Sequence, residues 1–133
     1  MKNFYLTFLF CLITGFLFEA DAEIIYVNST ATGMDNGTSW ENAYTDLQDA
    51  LMNADQGDSI LVAGGTYRPG TAANATFLID KNLTLLGGFP AAGGTLEERD
   101  PAAHETILSG DLNGDDVDDD FDSYKSDNAK NVV

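Results

Sequence analysis

One short apolar pattern recurs along this chain at nearly constant spacing, and that recurrence restricts the possible folds more than any other feature. Segments beginning at Ser59 (Ser59-Ile60-Leu61-Val62-Ala63), Leu83 (Leu83-Thr84-Leu85-Leu86), Thr106 (Thr106-Ile107-Leu108) and Asn131 (Asn131-Val132-Val133) lie 23 to 25 residues apart. The first three run into glycine, at Gly64, Gly87 and Gly110. A four-residue apolar strand cannot bury its face alone. A period of about 20 to 30 residues with one strand per period therefore predicts units stacked as a solenoid. Strand alternation puts Leu83 and Leu85 on one face and Thr84 and Leu86 on the other, and the first pair is expected inside.

The stretches between the repeats fit that architecture. Glu23 to Asn28 is rich in β-branched and aromatic residues and predicts a leading strand that covers the open end of the stack. Asn36-Gly37 suits a turn with positive φ. Leu47, Ala50, Leu51 and Ala54 follow helical spacing, so a helix is expected over Thr45 to Ala54, with a Thr45/Gln48 capping box at its start and Gly57 as its stop. Further strands are expected at Thr66-Tyr67 and at Thr76 to Ile79, the latter joined to the Leu83 strand by Asp80-Lys81-Asn82 as consecutive sides of one coil. After Pro90 the chain leaves the repeat, and Thr95 with Glu98 predicts one helical turn over Leu96 to Arg99. Trp40 and Tyr44 are expected to pack over a core, although exposed aromatics can also stack on sugars. His104, the single histidine, has no partner at ligand or triad spacing and is read as a solvated loop residue.

The first 22 residues read as a secretory signal peptide. Lys2 gives a positive start, Phe4 to Phe18 is almost unbroken apolar sequence, and Ala20-Asp21-Ala22 fits a small-x-small cleavage site. The run is shorter than the roughly 20 residues a membrane span needs. Cleavage after Ala22 predicts a secreted or cell-surface protein. It removes Cys11, the only cysteine, together with one of the 6 basic and two of the 22 acidic residues. The remaining 5 basic and 20 acidic residues carry a net charge of −15. A chain so acidic lacks the basic footprint that binding to phosphate backbones requires, which excludes nucleic acid as an expected partner.

Taken together, "IIYVNSTATGMDNGTSWENAYTDLQDAL", "GDSILVAGGTYRP", "NLTLLGGF", "ERDPAAHETILSGD" and "DNAKNVV" resemble the amino-terminal region of secreted bacterial right-handed parallel β-helix proteins of the pectin-lyase-like superfamily. The resemblance spans Ile24 to Val133. It implies an all-β solenoid whose first coils, in residues 23–133, are capped by a strand and one amphipathic α-helix, with further coils following in a longer protein. The family includes polysaccharide lyases and glycoside hydrolases as well as adhesins. Two functions follow as expectations. One is a non-catalytic extracellular module with a structural, adhesive or carbohydrate-contacting role toward extracellular polysaccharide or cell-surface glycan. The other is an enzyme fragment whose catalytic residues lie beyond Val133.

Only the acidic segment from Asp111 to Asp122 has the spacing of a site. Asp111, Asn113, Asp115 and Asp122 occupy positions 1, 3, 5 and 12 of a calcium-loop pattern, in which hard oxygen ligands converge on one cation. "DLNGDD" resembles the opening of a dockerin-type calcium loop. Asp116 stands where the turn wants glycine, and Asp118 where an apolar residue anchors the loop. A solvated acidic insertion has the same composition, so both readings stay open. Arg68, Lys81 and Arg99 fall in turns or loops and suit surface solubility. Asn-x-Ser/Thr triplets begin at Asn28, Asn36, Asn74 and Asn82, where the residues also suit turns. A short stack with an open end predicts marginal stability and association through the exposed edge.

Overall fold

The computed structural model describes residues 21–117 and 125–133. All but the last two residues of the signal peptide, and Asp122 of the calcium pattern, lie outside them.

Three of the segments expected as strands form one parallel sheet. Strand β1 (Ile24–Val27) pairs with β2 (Ser59–Ala63), which pairs with β4 (Thr84–Phe89). The register places Ile25, Ile60 and Leu85 in one row, with Val27 beside Val62 in the next. These inward residues form a core with the helix α1 (Leu47–Asn53), whose Leu47, Ala50 and Leu51 are buried. Leu83 and Leu85 pack against that core half-buried, on the face expected from alternation. Phe77, which belongs to no strand, is 1% exposed and completes it.

The opposite face of the sheet is closed by aromatic packing. Trp40 meets Tyr26 edge-on at 4.9 Å and Phe89 at 5.3 Å. Its indole N–H donates to the Gly94 carbonyl at 2.9 Å, tying the 90–95 loop down. Trp40 therefore packs, as its position beside a loop predicts. Both outer strands are also flanked by loop residues. Tyr26 donates to the Gly37 carbonyl and accepts from Tyr44 N–H on the free side of β1. On β4, the Gly87 carbonyl accepts from Arg99 Nε and the Gly88 carbonyl from Asp100 N–H.

A second sheet holds β3 (Gly65–Tyr67) and β5 (Thr106–Leu108), again parallel, with Tyr67 beside Leu108. Burial pushes the Tyr67 phenol above its usual pKa, against the opposing effect of hydrogen bonds with Ser29, and its hydroxyl donates to the Ala63 carbonyl. The sheets meet where β4 bulges: Leu61 faces Leu86 but Ala63 faces Phe89. Gly88 makes the bulge possible. Its φ is +92°, and a Cβ there would lie 2.8 Å from Pro101.

The predicted all-β solenoid, a right-handed parallel β-helix, is corrected by this arrangement. The described residues form two small separate parallel sheets, of three and two strands, with no closed or solenoid sheet. Only the first two echoes share a sheet. After β2 the chain turns at Gly64 into the second sheet, and the excursion over 90–105 returns Thr106 beside Gly65 rather than beside Thr84. Equal spacing along the chain therefore does not mean equal position in the fold. The fourth echo forms no strand; Val132 offers one carbonyl to Phe77 N–H. Thr76 to Ile79 is likewise not a strand, because Leu78 N–H turns to the Gln48 side chain and Leu78 is exposed.

Smaller departures are local. The helix begins one residue later than a Thr45 cap allows. Asp46 is the N-cap, accepting from Gln48 N–H at 2.7 Å, while the Thr45 hydroxyl and N–H both donate to Asp35. It ends at Asn53 with Ala54 already extended, before Gly57 is reached, and Lys81 Nζ donates to the Met52 and Ala54 carbonyls at that end. Thr95 and Glu98 do form the expected capping box, around a 3₁₀ turn at Leu96–Glu98.

Candidate metal centre

The acidic segment leaves the second sheet directly after β5. Asp111 begins it, and Arg68, which follows β3, holds it: Arg68 Nε donates to the Asp111 main-chain carbonyl at 2.6 Å. The Asp111 carboxylate then organises the turn ahead of it. Its Oδ1 accepts from Gly114 N–H at 2.7 Å and from Asp115 N–H at 3.2 Å, and its Oδ2 from Asp116 N–H at 3.3 Å. Aspartate favours such turns because its short side chain reaches its own downstream backbone. Gly114 sits at φ +78°, and a Cβ there would lie 2.9 Å from Arg68 Nη2, so this position requires glycine on both counts.

The returning limb, residues 125–133, lies alongside. Ala129 N–H donates to the Gly110 carbonyl and Lys130 N–H to the Ala73 carbonyl. This docking brings Asp127 to the outgoing limb. Asp111, Asp115 and Asp127 each offer a carboxylate oxygen within 4.8 Å of the other two, close enough to hold a metal ion.

Next to this cluster Lys125 Nζ meets Asp116 Oδ2 at 2.8 Å, and the Asn128 amide donates to the same oxygen at 2.9 Å. These two bonds, Lys125 first, hold the Asp116 carboxyl below the usual Asp value. Three oxygens here are shielded from solvent and, among the described residues, have no hydrogen-bond donor: Asp116 Oδ1, Asp127 Oδ2 and Asn128 Oδ1. All three are acceptors, and one belongs to a residue of the cluster, Asp127. Shielded acceptors without donors are costly in a folded protein, and a cation is one way to satisfy them.

Asp111 and Asp115 converge as the calcium-loop pattern predicts. Asn113 is exposed, and its Oδ1 accepts from the same Asp115 N–H, at 3.2 Å, that the Asp111 carboxylate engages. Asp122 lies outside the described residues. Asp127 was missed because a 12-residue loop pattern ends before it and its approach depends on how the two limbs pair. No family model matches the chain, and neither a curated protein nor a solved structure shows significant similarity to it.

Proposed function

We propose that this chain is an exported, non-catalytic module that takes calcium at Asp111, Asp115 and Asp127, and that the cation has a structural role. The observation that carries this reading is the convergence of three carboxylates from both limbs of the acidic segment, and Asp127 also has a shielded oxygen with no donor among the described residues. An all-oxygen, carboxylate-rich donor set suits calcium, magnesium or manganese over softer metals. Calcium–oxygen bonds of about 2.3–2.6 Å put ligands on opposite sides of the ion roughly 4.8 Å apart, and calcium accepts the irregular geometry of a loop that magnesium rejects. Bound there, the ion would join the outgoing limb to the returning one and relieve the repulsion among the aspartates. Export is supported by the apolar leader and by Ala20-Asp21-Ala22.

Titration calorimetry and thermal melting of the full chain test the site. Calcium should give a saturable heat in the micromolar to millimolar range and raise Tm, and Asp127→Asn should weaken both. Neither heat nor a Tm rise up to millimolar calcium would sink the proposal.

A further inference from the structure

The buried carboxylate of Asp58 is placed to receive a new chain terminus. Asp58 is 4% exposed, in the turn that leads from α1 into β2. Its Oδ2 accepts from Asp55 N–H at 2.7 Å, within a turn closed by Asp58 N–H on the Asp55 carbonyl. Its Oδ1 accepts from the backbone nitrogen of Glu23 at 2.8 Å. That nitrogen is the first atom after Ala22, where the small-x-small pattern of Ala20-Asp21-Ala22 predicts cleavage. The sequence motif and the buried acid, two independent observations, point to the same bond.

We propose that the chain is processed at Ala22–Glu23, and that the α-ammonium so formed pairs with Asp58. This rests on the export reading given above. Hydrolysis by an export peptidase adds one water across the amide. The hydroxyl goes to the Ala22 carbonyl carbon, which leaves with the leader as a carboxylate. The Glu23 nitrogen keeps the electron pair of the broken bond and takes up both protons of the water, becoming an ammonium at neutral pH. Asp21 and Ala22 are exposed and in no helix or strand, so the bond is accessible to a peptidase. Glu23 stays in place, because its carbonyl accepts from Ser59 N–H at the start of β2.

Processing changes the electrostatics of a buried group. In the unprocessed chain Asp58 receives neutral N–H groups, and among the described residues no lysine or arginine forms an ion pair with it. The nearby charges are the exposed Asp55, the Glu23 side chain, and Lys81, whose Nζ donates to the Met52 and Ala54 carbonyls. A buried carboxylate without a counter-charge is unfavourable, and one directly opposed by a cation is not. Cleavage supplies that cation where the oxygen already lies. Leader removal would thus complete the packing between the first strand and the turn before β2, and the mature protein would be more stable than its precursor.

The test is to produce the full chain with its own leader in an exporting bacterial host, read the start of the purified product by intact mass, and titrate its α-amine. The amine is tagged by ¹³C reductive dimethylation, which preserves its charge, and followed by NMR. The expected product begins at Glu23, and its amine titrates about one unit or more above the usual range of about 7.7–8.0, as an opposed charge requires. Asp58→Asn should return it to that range; if that variant does not fold, the wild-type titration alone decides. A product that begins at Glu23 and titrates normally overturns the pairing and leaves export intact. A retained leader overturns export and the pairing together, and a different start overturns this processing site.

Discussion

Arg68 and Asp111 join the acidic segment to the rest of the protein: the Nε of the first donates at 2.6 Å to the main-chain carbonyl of the second. The bond fixes where the segment starts, while the Asp111 side chain shapes the turn beyond it. Arg68→Ala should therefore cost about 1.5–3 kcal/mol of stability, the range for a hydrogen bond with a charged group. It should also weaken calcium binding. Lysine lacks the planar fork of arginine, so Arg68→Lys should restore only part of the loss. Urea titrations and calorimetry on the same samples would show it; wild-type affinity in Arg68→Ala would separate this residue from the site.

Gly114→Ala places a methyl group against the Arg68 guanidinium at a backbone angle that L-residues avoid. The expected cost is about 1–2 kcal/mol, from the left-handed conformation alone. Chemical denaturation would measure it. The variant should also release more freely the Asp111 contacts that Gly114 N–H helps to make, seen as faster amide exchange at Gly114 and Asp115.

Asp116 should titrate below the usual Asp value of about 3.9, because Lys125 and Asn128 bind its charged form. A carboxyl depressed in the folded state contributes stability above its unfolded pKa, and that contribution disappears as pH falls through the folded pKa. Carboxyl-carbon NMR shifts against pH would locate the midpoint. Lys125→Ala should move it upward, and an unchanged midpoint would show that the ion pair does not form in solution.

Phe77→Ala should destabilise the protein by about 3–5 kcal/mol, the usual cost of emptying a buried aromatic site. Phe77 is 1% exposed and packs against the core from outside any strand. Set against a typical domain stability of about 5–15 kcal/mol, this loss should leave a substantial unfolded fraction, readable as a lowered denaturant midpoint.

The parts of the structure that were legible in the sequence are those fixed by neighbours in the chain. Alternation put Leu83 and Leu85 on the inward face, where they pack on the core, and helical spacing at Leu47, Ala50 and Leu51 marked the buried side of α1. The capping box at Thr95 and Glu98 needs only three intervening bonds of helix and was found. What spacing could not provide was the sheet to which a strand belongs. Thr106 lies beside Gly65 because of the path taken by residues 90–105, and that path depends on close contacts such as Pro101 against Gly88. Asp127 was illegible for the same reason: its place beside Asp111 is set by Ala129 on Gly110 and Lys130 on Ala73.

The loop residues that flank β1 and β4 have a consequence for concentrated solutions. A strand from another molecule, approaching either side of the three-stranded sheet, meets Gly37 and Tyr44 bonded to Tyr26 on one flank and Arg99 and Asp100 bonded to Gly87 and Gly88 on the other. Fibril growth by strand addition requires an uninterrupted row of free donors and acceptors. The protein should stay free of thioflavin-positive fibrils at concentrations where Arg99→Pro, which removes the guanidinium contact to Gly87, begins to form them.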